Sequence, residues 1–177
     1  MKTNTLSFTT VRRQALLTAL SVTLAVALPQ LCHLLGAQLG YGTRLGEMLL
    51  PRHLPVMLAA LLWGPWVGLS VGLLSPVTSF ALTGMPLPAM LPFMTVELAV
   101  YGLCAGLLSR HKMPTVCKVL IAQIAGRAVR AVALLAAVGM EWTSLPVSLI
   151  WTGIAVGVAG IAIQLILLPL VVRAVRR

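Results

Sequence analysis

Three charged side chains fall inside apolar stretches that are long enough to cross a membrane. Glu97 lies in a predicted segment at about 89–109, and Arg127 and Arg130 lie in another at about 115–138. A charge surrounded by lipid is costly, so such residues face a protein interior and pair with one another. Because Arg127 and Arg130 are three residues apart, they share a helix face. We therefore predict a Glu97–Arg130 or a Glu97–Arg127 pair.

One acid against two arginines leaves a surplus of positive charge in this part of the chain. Such a surplus would suit a ligand that carries an anionic or electron-rich group. The same residues would also serve as a purely structural ion pair, with the second arginine extending to the lipid headgroups. From the residues alone, both interpretations stay open.

Arg52 and His53 stand at the start of a short apolar segment, 51–63. Thirteen residues of helix extend roughly 20 Å, against a hydrocarbon core of ~30 Å. We expect the stretch 51–55 to be irregular backbone within the membrane, which is tolerated only where it lines a protein cavity. Arg52 and His53 would then line an outward-facing pocket. The alternative is that both extend to the headgroups.

Aromatic residues make up only 5% of the chain, so their positions are informative. Tyr101 follows in the segment of Glu97, Trp142 lies in a predicted outer loop, and Trp151 lies near the start of the last apolar segment. Flat side chains at these positions would suit the stacking walls of a ligand pocket. Anchoring at the membrane interface is the alternative for the tryptophans.

Motifs for catalysis or metal binding do not accompany these residues. The sequence has no Asp, which makes a Ser/His/Asp triad impossible, and it has neither a Gly-Lys-Ser/Thr phosphate loop nor His-Glu-x-x-His. Its three His and three Cys are too scattered to predict a metal site or a disulfide framework. We expect a protein that is not an enzyme and that has no cofactor and no bound metal.

Composition is typical of an integral membrane protein. Of 177 residues, 59% are hydrophobic and only three are acidic, and the mean hydropathy is +1.02. The run 54–96 holds 43 residues without a charge or a histidine. Since ~20 residues already span the hydrocarbon core, this run must fold back, and Gly64-Pro65 is the turn signal. We predict an all-α bundle of six transmembrane helices in one membrane domain, 1–177.

The breaks in hydropathy set the helix boundaries and the basic residues set the orientation. The helices are predicted at about 13–35, 51–63, 66–83, 89–109, 115–138 and 147–172. Nine of the 13 basic residues cluster at three helix ends: Lys2, Arg12, Arg13, Arg110, Lys112, Lys118, Arg173, Arg176 and Arg177. The positive-inside rule therefore places both termini in the cytoplasm. These positions argue against a nucleic-acid partner despite the net charge of +10.

The first apolar segment has the pattern of a signal peptide, with Arg12-Arg13 followed by an apolar run and Ala25-Val26-Ala27. The run continues through Leu31, however, and further spans follow. We interpret it as the first membrane helix, and export through a twin-arginine signal is the alternative.

Several short motifs carry a family resemblance that covers nearly the whole chain and is densest between 47 and 106. They are His53-Leu54-Pro55-Val56, Trp63-Gly64-Pro65-Trp66-Val67-Gly68, Gly72, Pro76, Thr83-Gly84-Met85-Pro86, Glu97-Leu98-Ala99-Val100-Tyr101-Gly102 and Gly126-Arg127. With these motifs the sequence resembles the substrate-binding S components of energy-coupling factor (ECF) transporters.

The resemblance implies a subunit that binds a vitamin or related micronutrient in an outward pocket. It also implies partners, namely a transmembrane coupling subunit and two ATPase subunits. The family's contact of small residues on its first helix corresponds to Ala15 and Ala19, which become the predicted docking residues. Folate-, biotin-, riboflavin-, thiamine- and cobalamin-type substrates all stay open, whereas nickel and cobalt are disfavoured because the Met-His start is missing.

We therefore predict a micronutrient-uptake subunit of a bacterial or archaeal cytoplasmic membrane. The residues predicted to bind substrate are Arg52, His53, Glu97, Tyr101, Arg127, Arg130, Trp142 and Trp151. A stand-alone proton-coupled carrier that uses Glu97 as its proton site is one alternative. A membrane scaffold without a ligand is the other.

Overall fold

The computed structural model of the protein describes residues 8–42, 44–49 and 51–175, with the backbone alone at 8–10, 44, 45 and 47. The predicted basic clusters include Lys2, Arg176 and Arg177, which lie outside this part. The helices of the described part are α1 (Phe8–Gln38), α2 (Arg44–Leu49), α3 (His53–Trp63), α4 (Pro65–Thr83), α5 (Leu91–Leu108), α6 (Thr115–Gly139), α7 (Leu149–Val156) and α8 (Val158–Val175). A 3₁₀ turn, Pro88–Met90, leads into α5.

In the described part, five helices are long and apolar enough to cross a membrane, namely α1, α4, α5 with its 3₁₀ turn, α6 and α8. The remaining predicted span is α3, whose 11 residues extend only about 16 Å. The described part of the chain is therefore all-helical, with several helices that are long and apolar enough to span a membrane. Six spans and two cytoplasmic termini stay predictions.

The prediction of one continuous helix at 147–172 is wrong. The structure divides it into α7 and α8, and Gly157 separates them. Glycine weakens a helix interior because it loses the most conformational freedom on ordering. The segment between the first two predicted helices, which is expected to be a loop, contains the short helix α2.

The backbone around Arg52 is more regular than predicted. Only Pro51 and Arg52 form a turn, and α3 begins at His53 and includes Pro55. Proline is tolerated there because the first turn of a helix has backbone N–H groups without intrahelical acceptors. Arg52 is thus held at the start of a regular helix.

Helices α4 and α5 pack backbone to backbone through small residues. A Cβ on Gly68 or on Gly102 would collide with the carbonyl group of the other, and one on Gly72 would collide with the carbonyl of Leu98. Such close approach is a main source of helix association in lipid. Residues 68–72 also match Gly-x-Ser-x-Gly, but they lie within one helix, not at the strand-to-helix turn that makes this motif a nucleophile elbow.

This packing fixes α5 at the centre of the bundle, where it contacts α3, α4 and α6. Gly126 of α6 lets the ring of Tyr101 lie directly against the helix, since a Cβ at Gly126 would collide with that ring. The polar residue Glu97, one turn before Tyr101, is thereby brought between α3 and α6. A cavity opens at this end of the bundle.

Candidate functional site

The cavity has a volume of about 420 Å³, which lies within the size range of small-molecule sites. It is formed by the second half of α1, the starts of α3 and α5, the loop after α4, α6 and α7. Its lining residues are Pro29, His33, Gly46, Pro51, Arg52, His53, Met85, Pro86, Leu87, Met90, Met94, Glu97, Arg130, Leu149, Thr152, Gly153 and Val156.

Glu97 is the acid of the cavity and both of its carboxylate oxygens are engaged. Tyr101 donates its hydroxyl hydrogen to Oε1 at 2.8 Å, and Arg130 donates from Nη1 to Oε2 at 3.0 Å. The carboxylate side chain is 2% exposed and that of Arg130 is 18% exposed. Of the two predicted pairs, the structure thus forms Glu97–Arg130, which ties α5 to α6 and leaves the pair with no net charge.

Arg52 lies on another wall of the cavity and is only 7% exposed. Its Nη2 donates to the hydroxyl of Ser79 on α4 at 2.8 Å. Its Nε and Nη1 are buried and have no hydrogen-bond partner among the described residues. A buried guanidinium in this state is unusual, because buried donors are almost always satisfied.

His53, the next residue, is 6% exposed and places its ring against that of Tyr101, with 5.2 Å between the ring centroids and an interplanar angle of 56°. Its Nδ1 has no partner in the described part of the structure. His33 of α1 likewise has a buried Nδ1 without a described partner. The cavity therefore offers several polar atoms that have no hydrogen-bond partner among the described residues.

Three methionines belong to the apolar part of the cavity lining, together with proline, leucine and valine side chains. Met85, Met90 and Met94 line it from the loop after α4 and from the start of α5. Methionine side chains are flexible and polarizable, so they adapt to apolar groups of different shape. The site thus combines a compact polar face with an adaptable apolar face.

The family comparison agrees with this architecture. A family model described as "ECF transporter, substrate-specific component" matches residues 10–172. The chain belongs to this family. Comparison with the curated proteins and with the solved structures gives no match.

As an ECF S component, the chain is a substrate-binding membrane subunit of an ECF importer rather than an enzyme. Membership also implies association with an ECF module, which is built of a T subunit and ATPase subunits. Within the described residues, no group of three or more His, Cys, Asp or Glu side chains could hold a metal ion.

The predicted site residues of this S component divide into three groups. Arg52, His53, Glu97 and Arg130 line the cavity. Tyr101 is fully buried behind them and contacts Glu97 and His53, so it supports the cavity wall without lining it.

Arg127 forms the second group. It lies on α6 beside the cavity but not in its lining, with Nη1 at 3.4 Å from the carbonyl of Gly153. Its Nε is buried without a described partner. Arg127 thus connects α6 with α7, while Arg130 on the same helix forms the ion pair with Glu97.

Trp142 and Trp151 form the third group, and the structure does not bring them to the cavity. They are 80% and 72% exposed. Trp142 lies in the loop after α6, where neighbouring Glu141 takes a positive φ of 59°. On α7, the lining positions 149, 152, 153 and 156 follow a helical face that excludes Trp151. Stacking of either tryptophan on a ligand stays an untested prediction.

A second concavity of about 590 Å³ runs between the first half of α1 and α4. Both predicted docking residues, Ala15 and Ala19, line it and are exposed. Across the groove lies Trp66 at the start of α4, which is 70% exposed. The groove is thus at the opposite end of the bundle from the cavity.

Proposed function

We propose that this S component captures a vitamin or related micronutrient in the cavity between α1, α3, α5, α6 and α7. The observation that carries the proposal is the set of unsatisfied polar atoms on Arg52 and His53, both more than nine-tenths buried and both lining the cavity. An unsatisfied buried polar group costs free energy. A ligand that forms hydrogen bonds with these atoms removes this cost, so the free energy of the bound protein is lower than that of the empty one.

We further propose that the groove at Ala15 and Ala19 receives a helix of the transmembrane coupling subunit, which connects the S component with two ATPase subunits. Small side chains leave a shallow apolar surface on which a partner helix can approach closely. Because the groove and the cavity lie at opposite ends of the bundle, substrate and coupling subunit would be bound at the same time. The setting is the cytoplasmic membrane of a bacterium or archaeon.

The alternative of a proton-coupled carrier depends on Glu97 exchanging protons with water. Glu97 is 1% exposed, and both its oxygens accept hydrogen bonds from Tyr101 and Arg130. This arrangement favours a structural role for Glu97. No described contact favours proton exchange over ATP-driven uptake.

Filling the cavity without disturbing the fold tests the proposed site. Gly153 lines the cavity, and a Cβ added there would meet only the guanidinium of Arg130, at 3.6 Å or more, which is ordinary van der Waals contact. Gly153→Leu should therefore fold and occupy part of the cavity. We expect native mass spectrometry of the detergent-purified wild type to detect a co-purified small molecule, and Gly153→Leu to lose it.

Gly139→Leu is the matched control. Gly139 ends α6 and a Cβ there meets nothing within 4 Å. This variant should keep the small molecule. Retention by Gly153→Leu, at the same occupancy as in Gly139→Leu, would contradict the proposed location of the site.

Docking is tested by substitutions in the groove. Ala15→Trp and Ala19→Trp should block uptake in cells that contain the coupling module, while the purified variants keep the co-purified molecule. Leu24→Trp, at an exposed α1 position outside the groove lining, should support normal uptake. Loss of binding together with uptake in the alanine variants, or normal uptake, would refute the docking assignment.

A further inference from the structure

The charges around the cavity do not balance within the described residues. Glu97 and Arg130 neutralise each other at 3.0 Å, which leaves Arg52 as a second buried cation of the lining. Of the other two acids in the chain, Glu141 is exposed in the loop after α6, and the side chain of Glu47 lies outside the described part. Among the described lining residues, Arg52 is therefore the cation without an acidic partner, and Arg127, which bonds only to the carbonyl of Gly153, adds positive charge just outside the lining.

We propose that the substrate is a small monocarboxylate with a largely apolar body, and that Arg52 binds its carboxylate. This inference rests on the proposed function, because it names the chemical class of ligand for the same cavity. A guanidinium has five N–H donors, of which Arg52 uses one on Ser79 and leaves Nε and Nη1 without partners. A carboxylate supplies both the missing acceptors and the missing charge, in the charge-assisted form that is strongest for arginine.

The arrangement around Arg52 makes it a preorganised anchor. Pro51 and Arg52 form the turn that precedes α3, and the bond from Nη2 to Ser79 fixes the guanidinium against α4. A fixed donor loses little conformational entropy when the ligand binds. His53, whose Nδ1 is buried without a described partner, lies beside it and offers one further polar contact.

The remaining lining explains why the rest of the ligand is apolar. Apolar residues predominate in the rest of the lining, among them the three methionines, Pro29, Leu149 and Val156. A second carboxylate would find no second free arginine among the described lining residues, since Arg130 is already paired with Glu97. A cationic ligand would be repelled by Arg52. The charges of the described lining therefore favour a monoanion over a dianion or a cation, and the charge of Arg52 favours it over a neutral molecule.

Matched acid and amide probes test the class directly. Each probe pair consists of an acid and its amide, which have the same carbon skeleton and differ in charge: biotin and biotinamide, nicotinate and nicotinamide, octanoate and octanamide. Thiamine serves as the cationic probe and riboflavin as the neutral one. Binding is measured by isothermal titration and by the rise in thermal unfolding temperature of the full chain in detergent. We expect at least one acid to bind, with an affinity about tenfold or more above that of its own amide.

Substitution of Arg52 separates an anchor from a structural residue. Arg52→Met should weaken binding of that acid by about 30-fold or more and should abolish the preference for acid over amide. Without ligand, Arg52→Met should unfold at the same or a higher temperature than the wild type, because it removes an unpaired buried charge. Arg173→Met, at an exposed position of α8, is the control and should bind like the wild type.

The outcomes distinguish this inference from the proposed function. Preferred binding of thiamine, riboflavin or an amide, or identification of the co-purified molecule as neutral or cationic, would overturn the monocarboxylate and leave the S component with another substrate. An acid preference that persists in Arg52→Met would overturn the role of Arg52. Absence of any probe and of any co-purified molecule from the folded wild type would count against the proposed function itself.

Discussion

Glu97 should be a structural centre of this bundle, and its neutralisation gives a measurable prediction. Glu97→Gln keeps the size of the side chain but removes the charge that Arg130 needs. Breaking a fully buried ion pair by neutralising one partner costs about 3–5 kcal/mol. Because the side chain of Arg130 is 18% exposed, water compensates part of this loss. We expect the free energy of unfolding to fall by about 2–3 kcal/mol.

The neighbouring hydroxyl extends the prediction to a double-mutant cycle. Tyr101→Phe removes one hydrogen bond to a charged acceptor from a fully buried site, at a cost of about 2 kcal/mol. In the Glu97→Gln background the same hydroxyl donates to a neutral amide, a bond worth about 1 kcal/mol. The two substitutions should therefore be non-additive by about 1 kcal/mol.

Reversible unfolding in mixed micelles with increasing SDS, followed by circular dichroism, measures these free energies. Glu141→Gln, at an exposed acid outside the bundle, is the control and should leave the unfolding curve unchanged. If Glu97→Gln lies within about 0.5 kcal/mol of the wild type, or if the double mutant is strictly additive, the cluster has no structural role and the reasoning fails.

Three further predictions follow from single contacts. Gly102→Ala should strongly lower the thermal unfolding temperature in detergent, because the added Cβ would push α4 away from α5 at Gly68. Gly139→Ala is the control and should leave this temperature unchanged. Gln123→Leu should cost about 1–3 kcal/mol in SDS unfolding, because it removes the buried 3.0 Å bond to Gln164. Arg127→Ala should weaken ligand binding less than Arg52→Met does, by isothermal titration, since it lies outside the cavity lining; an equal or larger loss would place Arg127 in the site.

Much of the candidate site follows from the cost of charge in an apolar environment. That cost alone predicts that Glu97 pairs with an arginine of α6, as the structure shows. It also directs attention to Arg52 and His53, because the short segment 51–63 cannot reach across the hydrocarbon core. Charged residues inside apolar segments can thus be identified as candidate site residues from the sequence alone.

The sequence does not predict which of the two arginines of α6 pairs with Glu97. Arg127 and Arg130 share a helix face, so the choice depends on the rotation of α6 against α5, which Gly126 and Tyr101 set by close contact. From the sequence, the positive surplus is therefore expected at this arginine pair. Among the described lining residues, the cation without an acidic partner is instead Arg52, in the turn before α3.

Apolar lining residues carried no signal of their own in a chain that is 59% hydrophobic. Met85, Met90 and Met94 look like ordinary core or loop residues until the chain folds. On α7, the spacing of 149, 152, 153 and 156 was available as a helical face, but aromatic character drew attention to Trp151 instead. For α7, helical periodicity predicts which residues line the cavity better than the rarity of a residue type does.

Determination of the structure of the protein with its co-purified molecule tests the central claim most directly. The account predicts one molecule in the cavity at the start of α3 and α5, in contact with Arg52 and enclosed by α7. A molecule bound instead in the groove at Ala15 and Ala19, or a cavity occupied only by lipid while the protein supports uptake, would contradict it.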